Sequence, residues 1–186
     1  MRAVIVYESM FGSTKKVAEA IAEGLADHAK VSVVPVTSAD AHILDGADLV
    51  VAGGPTHTHG MSKPSTRKIA GKLARKAGSE VELVPGAISG PGVREWLASL
   101  GSLEVAGAAF DTRLQGLPAF TGRASKSIRR LLAHHGARIA ASPESFLVKG
   151  MTGDLAEGEL RRARAWGELL GGVTASEASS RRRQAF

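Results

Sequence analysis

The chain has 186 residues, 44% apolar and 23% charged, which supports one domain with a sizeable core and excludes a disordered chain. It has no cysteine, which excludes disulfides, thiolate catalysis and cysteine-ligated metal centres. Its net charge is +6, and half of that excess sits in Arg181-Arg182-Arg183.

No apolar run reaches the ~20 residues of a membrane helix, and no signal-peptide layout precedes the first strand. A soluble cytoplasmic protein is expected. Arg2–Glu8 reads as a strand, with Ala3-Val4-Ile5-Val6 apolar throughout as in a buried parallel sheet. A helix follows, with Val17, Ile21 and Leu25 at four-residue spacing. Val31–Val36 is a second strand. Asp48–Ala52 is a third and ends in Gly53-Gly54-Pro55. Ser65–Ala77 reads as a short basic helix and residues 78–91 as an irregular Gly/Pro-rich connection. Val93–Leu100 gives a helical turn or two carrying Trp96, and Glu104–Phe110 a fourth strand. Arg123–His135 is a basic helix with Ile128, Leu131 and Leu132 on its apolar face. Ala137–Ala141 starts a fifth strand that Pro143 interrupts and Ser145–Val148 resumes. Glu157–Leu170 is the last helix. The domain is expected over residues 1–172, with a disordered basic tail over residues 173–186.

Strands alternating with helices imply a doubly wound parallel sheet with helices on both faces. Ligands of such folds sit outside the carboxyl ends of the strands. Three segments qualify. Ser9-Met10-Phe11-Gly12-Ser13-Thr14 has three hydroxyls, one glycine and no charge before a helix N-terminus, a setting for an anion held by neutral donors. It matches neither the Walker spacing nor the GxGxxG turn, and a simple helix cap is the plain alternative. Pro55-Thr56-His57-Thr58-His59-Gly60 follows the third strand and offers donors and flat rings. A metal at His57-x-His59 lacks carboxylates or a third imidazole in that segment, so no metal is expected. Asp111-Thr112-Arg113 opens the segment after the fourth strand. His134-His135 suit a helix C-terminus.

The segments "SMFGST", "VVAGGPTHTHG" and "AAFDTR", in this order over residues 2–171, resemble the flavodoxin-like FMN-binding domains, in particular small flavodoxin-like proteins of high-GC bacteria. The resemblance implies a five-stranded three-layer α/β sheet in the order 2-1-3-4-5 with FMN at the switch point. It implies that Ser9, Met10, Phe11, Gly12, Ser13 and Thr14 wrap the FMN phosphate. Pro55, Thr56, His57, Thr58, His59 and Gly60 would flank the isoalloxazine. Asp111, Thr112 and Arg113 would border its pyrimidine side. Trp96, Trp166 and Tyr7 fall outside these segments, so His57, His59, Leu114 or Phe120 would have to wall the ring.

The function so implied is electron transfer to or from a redox partner by a cytoplasmic flavoprotein oxidoreductase. An NAD(P)H-dependent quinone or FMN reductase of the same fold is the competing enzyme, with His57 and His59 as the evident acid–base groups. A flavin-free regulatory module is the third reading. A phosphoacceptor receiver domain does not fit, because the first strand ends in Tyr7-Glu8 and the third in Gly53-Gly54.

Two stretches lack acids. One holds Lys63, Arg67, Lys68, Lys72, Arg75 and Lys76; the other holds Arg113, Arg123, Lys126, Arg129, Arg130 and Arg138. They read either as solvated helix faces or as a surface for an anionic redox protein or NAD(P)H. Aromatics at 4% and the lack of a reader motif argue against nucleic acid.

Overall fold

The computed structural model describes residues 1–40, 42–76, 83–116, 121–150 and 154–184. The side chains of Arg75 and Lys76, and Phe120 entirely, lie outside the described part. In chain order the elements are β1 (Arg2–Tyr7), α1 (Ser13–Leu25), β2 (Lys30–Pro35), β3 (Leu49–His57), β4 (Gly60–Met61), α2 (Pro64–Lys76), α3 (Val93–Ser99), β5 (Ala106–Leu114), α4 (Ala124–His134), β6 (Arg138–Ile139), β7 (Glu144–Val148) and α5 (Glu159–Gln184).

The sheet order is β2-β1-β3-β5, with the fifth position shared by β6 and β7, and these pairings are all parallel. This is the order that the resemblance implies, in the doubly wound sheet expected from the strand–helix alternation. β6 pairs with Ala106-Gly107 and β7 with Phe110–Leu114. Residues 140–143, ending in Pro143, separate them, since a proline cannot donate to the ladder.

Alternate residues of the central strands face opposite layers. Val4, Val6, Val50 and Ala52 pack with Trp96 and Leu97 of α3 and with Ile128 and Leu132 of α4. Ala3, Ile5, Leu49, Val51 and Phe110 pack with Val17 and Ile21 of α1 and with Trp166 and Leu170 of α5. Two-sided burial explains why these strands are apolar without alternation. Phe110, Phe146 and Trp166 form an edge-to-face cluster at centroid distances of 6.2 to 6.5 Å. α1 and α5 touch through glycines: a Cβ on Gly24 would overlap the carbonyl of Arg164, and one on Gly167 the carbonyl of Ile21.

Three boundaries differ from expectation. β3 runs on to His57 and β5 to Leu114, pairing Gly54 with Asp111 and Pro55 with Thr112. The second and third candidate segments therefore begin as strand ends that project past the sheet. The last helix does not stop at Leu170 but continues to Gln184, so the expected tail is helical from residue 173 to that point. Thr174 is buried with its hydroxyl donating to the Leu170 carbonyl at 2.8 Å, and Glu177 pairs with Arg138 at 2.6 Å. Among the described residues no helix is long and apolar enough to cross a membrane.

Candidate functional site

A cavity of about 400 Å³ opens at the carboxyl ends of β1, β3, β5 and β7. Parallel strands all deliver their following segments to this edge, which is why segments far apart in sequence converge there. Ser9, Met10, Phe11, Ser13 and Thr14 line one part of it, Pro55 to His59 a second, and Thr112 and Arg113 a third. Of the expected residues, Gly12, Gly60 and Asp111 do not line it.

The β1–α1 segment places a neutral loop at a helix N-terminus. Gly12 caps α1 at φ +92°, a left-handed conformation that glycine adopts without strain, and its N–H donates to Ser9 Oγ at 3.1 Å. The first turn of α1 has no acid. The first N–H groups of a helix lack partners within it and carry partial positive charge. Val84 N–H donates to the Met10 carbonyl at 2.9 Å and fixes the outer side of the segment. The Thr14 and Thr112 hydroxyls, both buried, share a hydrogen bond of 2.7 Å.

The segment after β3 is a hairpin. His57 pairs with Gly60, leaving Thr58 and His59 as a two-residue turn at φ +44° and +73°. Two positive φ values are the mark of a type I′ turn, for which neither threonine nor histidine is a natural occupant. Gly53, at first sight part of this segment, serves packing instead, because a Cβ there would strike the Phe110 ring. The hairpin is tied to the next helix: Thr56 Oγ1 accepts from Ala124 N–H at 3.0 Å, and His59 bridges to Gly122.

Asp111 lies fully buried behind the cavity. Its Oδ2 accepts from Ser125 N–H at 2.7 Å, which anchors the start of α4. Burial raises its pKa above the usual aspartate value. Arg113 spends Nη1 on the carbonyls of Leu114 and Gly116 and on Thr121 Oγ1.

The sequence pattern did not single out the wall supplied by α2, where Thr66, Ile69 and Ala70 line the cavity. Their i, i+3, i+4 spacing was the available signal. Val148 and Gly150, at the end of β7, were likewise missed. Of the candidate ring walls, His57, His59 and Leu114 do line the cavity.

Arg67 also departs from expectation. It stands in the first basic run, yet it is 3% exposed. Its Nη1 donates to Glu95 Oε2 and Ser62 Oγ, each at 3.0 Å, and its Nη2 to the Gly90 carbonyl at 3.2 Å. The Glu95 carboxylate also accepts from Gly92 N–H at 2.7 Å. Arg67 thus bolts α2, and with it the Ile69 wall, to the start of α3. Glu8, at the end of β1, accepts from Val93 N–H at 2.9 Å, and burial raises its pKa. Burial, and then the Arg67 charge, hold the His57 pKa below 6.5, so the ring is neutral at pH 7. Among the described residues no cluster of three His, Cys, Asp or Glu side chains could hold a metal ion.

The family model described as Flavodoxin matches residues 5–166. The structure is similar to that of a flavodoxin from the domain Archaea, with a TM-score of 0.64 and 20% identity over 94% of this chain and 99% of that one. It is similar to oxidised flavodoxin 1 from Bacillus cereus, with a TM-score of 0.61 and 16% identity over 91% and 97%. It is also similar to the flavodoxin of Streptococcus pneumoniae TIGR4, with a TM-score of 0.61 and 20% identity over 92% and 99%. At these identities the likeness is one of fold. A search of the curated proteins found no match.

Proposed function

Since the chain belongs to the flavodoxin family, whose cofactor is FMN, we propose that the cavity at the strand ends holds FMN and that the protein passes electrons between it and a redox partner. The supporting observation is the split character of the cavity. At the α1 end it offers Ser9, Ser13 and Thr14 beside an acid-free helix N-terminus. Elsewhere Pro55, Ile69, Ala70, Leu114 and Val148 supply apolar walls, interspersed with His57, Thr56, Thr66 and Arg113. The first set suits a phosphate and the second a flat, largely apolar ring, so the residues present fit the group. A volume of about 400 Å³ is ordinary for a small-molecule site.

When bound, FMN supplies the redox chemistry. The chain does the rest. The β1–α1 segment fixes one end of the ligand, and the Thr14–Thr112 bond holds that end against β5. The α2 wall, locked by Arg67, shields one side of the cavity. Neutral His57 places no cation against that wall at pH 7.

Titrating FMN into the purified chain tests this reading. Flavin fluorescence should be quenched with 1:1 stoichiometry at micromolar protein, and the visible flavin bands should shift. A flat titration overturns the reading and leaves a flavin-free binding module. The exposure of Ile69 and Leu114 at the cavity edge favours, as a second reading, a reductase that admits a small acceptor to the ring. NADPH oxidation on adding a quinone to the loaded protein separates that enzyme from a carrier.

A further inference from the structure

Among the described residues four large apolar side chains are exposed, and two of them, Ile69 at 56% and Leu114 at 38%, also line the cavity. They form an apolar mouth contributed by α2 and β5. Among the described residues exposed cations gather on the two helices beside that mouth. Lys63, Lys68 and Lys72 are exposed at and along α2, and Lys126, Arg129 and Arg130 along α4. None of these six has an ion pair among the described residues. Elsewhere on the surface Lys15 pairs with Glu19, Lys16 with Asp154, Arg138 with Glu177, Arg162 with Glu144 and Arg164 with Glu23, whereas exposed Lys30, Lys149 and Arg161 stand singly, without an ion pair among the described residues. Of the described acids on this side, Asp154 is exposed and paired with Lys16, and three others are withdrawn from solvent or engaged. Glu8 and Asp111 are buried, and Glu95 is held by Arg67.

The two basic helices are placed by the cavity itself. α2 starts three residues after the β3–β4 hairpin, and the first N–H of α4 is bonded to Thr56 within that hairpin. Uncompensated charge therefore collects where the cavity opens.

We propose that this mouth is the docking surface for an acidic redox protein, with Ile69 and Leu114 at its centre and the lysines and arginines of α2 and α4 as its rim. An apolar centre within a polar rim is the arrangement of a protein interface, and a small one suits transient contact between redox proteins. A nucleotide is disfavoured by the same layout. Its phosphates need converging cations, whereas Lys63 to Lys72 extend about 13 Å along the helix axis at ~1.5 Å per residue. The cation within the cavity, Arg113, has Nη1 committed to two carbonyls and a hydroxyl. An excess of positive charge beside the opening raises the rate of encounter with an acidic partner and orients it, most strongly at low salt.

The proposal rests on the flavin reading only for what passes across the contact. The contact is tested with the full chain, with and without FMN. The probes are an acidic plant-type [2Fe–2S] ferredoxin and basic cytochrome c, followed by calorimetric titration at ionic strengths of about 0.01 and about 0.15 M. The ferredoxin should bind in both forms of the chain, about tenfold more weakly at the higher salt. K72E and K126E should each weaken it about tenfold at low salt without changing FMN affinity. K30E makes the same change in net charge on the exposed start of β2, at the opposite sheet edge, and should have little effect. No ferredoxin binding at low salt, or cytochrome c binding as tightly, overturns the proposal. So does K30E weakening binding as much as K72E. NADPH binding that K72E and K126E abolish, without ferredoxin binding, would give the mouth to a nucleotide. Ferredoxin docking with no FMN uptake would overturn the flavin reading alone.

Discussion

Thr14 Oγ1 and Thr112 Oγ1 lie 2.7 Å apart across 98 residues of sequence, both buried. The bond joins the N-terminus of α1 to the projecting end of β5 and closes one side of the cavity. Thr14→Val strands the Thr112 hydroxyl, and a buried unpaired hydroxyl costs about 1–3 kcal/mol. The double variant T14V/T112V removes both partners and should recover part of that loss. Urea melts of the two single variants and the double variant give the coupling energy, which is expected to be about 1 kcal/mol.

Arg67 is the buried cation that joins α2 to α3. Arg67→Met would leave Glu95 without its charged partner and free two acceptors; because Glu95 is 35% exposed, solvent screens the charge left behind and the cost should be about 1–3 kcal/mol, below that of a fully buried pair. Arg67→Lys keeps the charge but not the fork of contacts to Ser62, Glu95 and Gly90, and should fall between. Denaturant midpoints would order them wild type, Lys, Met.

His57 titrates below 6.5 because burial, and secondarily Arg67, disfavour its charged form. The unfolded chain then binds more protons than the folded one between the two pKa values, so this group's contribution is fully present above about 6.5 and is lost as pH falls through the folded value. The stability of the wild type relative to His57→Gln should therefore decline between about pH 7.5 and about pH 5. The His57 ring resonances should show a midpoint below 6.5 in the wild type.

Thr58 and His59 hold a type I′ turn with φ values of +44° and +73°. A β-branched residue is strained there, and asparagine or glycine is not. Thr58→Asn and His59→Gly should each stabilise the ligand-free chain by about 1 kcal/mol. His59 also lines the cavity, so His59→Gly should weaken FMN binding while raising the melting temperature. Thermal melts and FMN titration on the same samples would read the two effects.

Gly24 has no room for a side chain, because a Cβ would meet the backbone of α5 at Arg164. Gly24→Ala should cost at least about 1–3 kcal/mol, as overpacking does. Gly101, with nothing within 4 Å of a built Cβ, is the control: Gly101→Ala should change stability by no more than about 0.5 kcal/mol. Chemical denaturation of the pair checks both.

The strand–helix alternation was legible because two-sided burial writes itself as continuous apolar runs, as in Ala3–Val6 and Leu49–Ala52. The site segments were legible because a parallel sheet delivers every segment after a strand to the same edge. Arg67 was not, since a buried arginine and a solvated one read alike when their carboxylate lies 28 residues away. The ends of β3 and β5 were missed because Gly54, Pro55, Asp111 and Thr112, whose backbones pair in register there, carry no apolar strand pattern. The expected end of the last helix at Leu170 lies just before Gly171-Gly172. The helix passes through them, because a Cβ on Gly171 would strike the His28 ring and the missing side chain is what lets the helix lie there.

The amino-acid sequence alone determined the doubly wound layers, the neutral hydroxyl-rich loop of Ser9 to Thr14 and the uneven charge. Each depends on local pattern or on composition. Only the tertiary structure decided which residues share the cavity, that α2 walls it through Ile69, and which cations stay free. Those depend on contacts between elements far apart in the chain, where burial and pairing, not residue type, set what a side chain does.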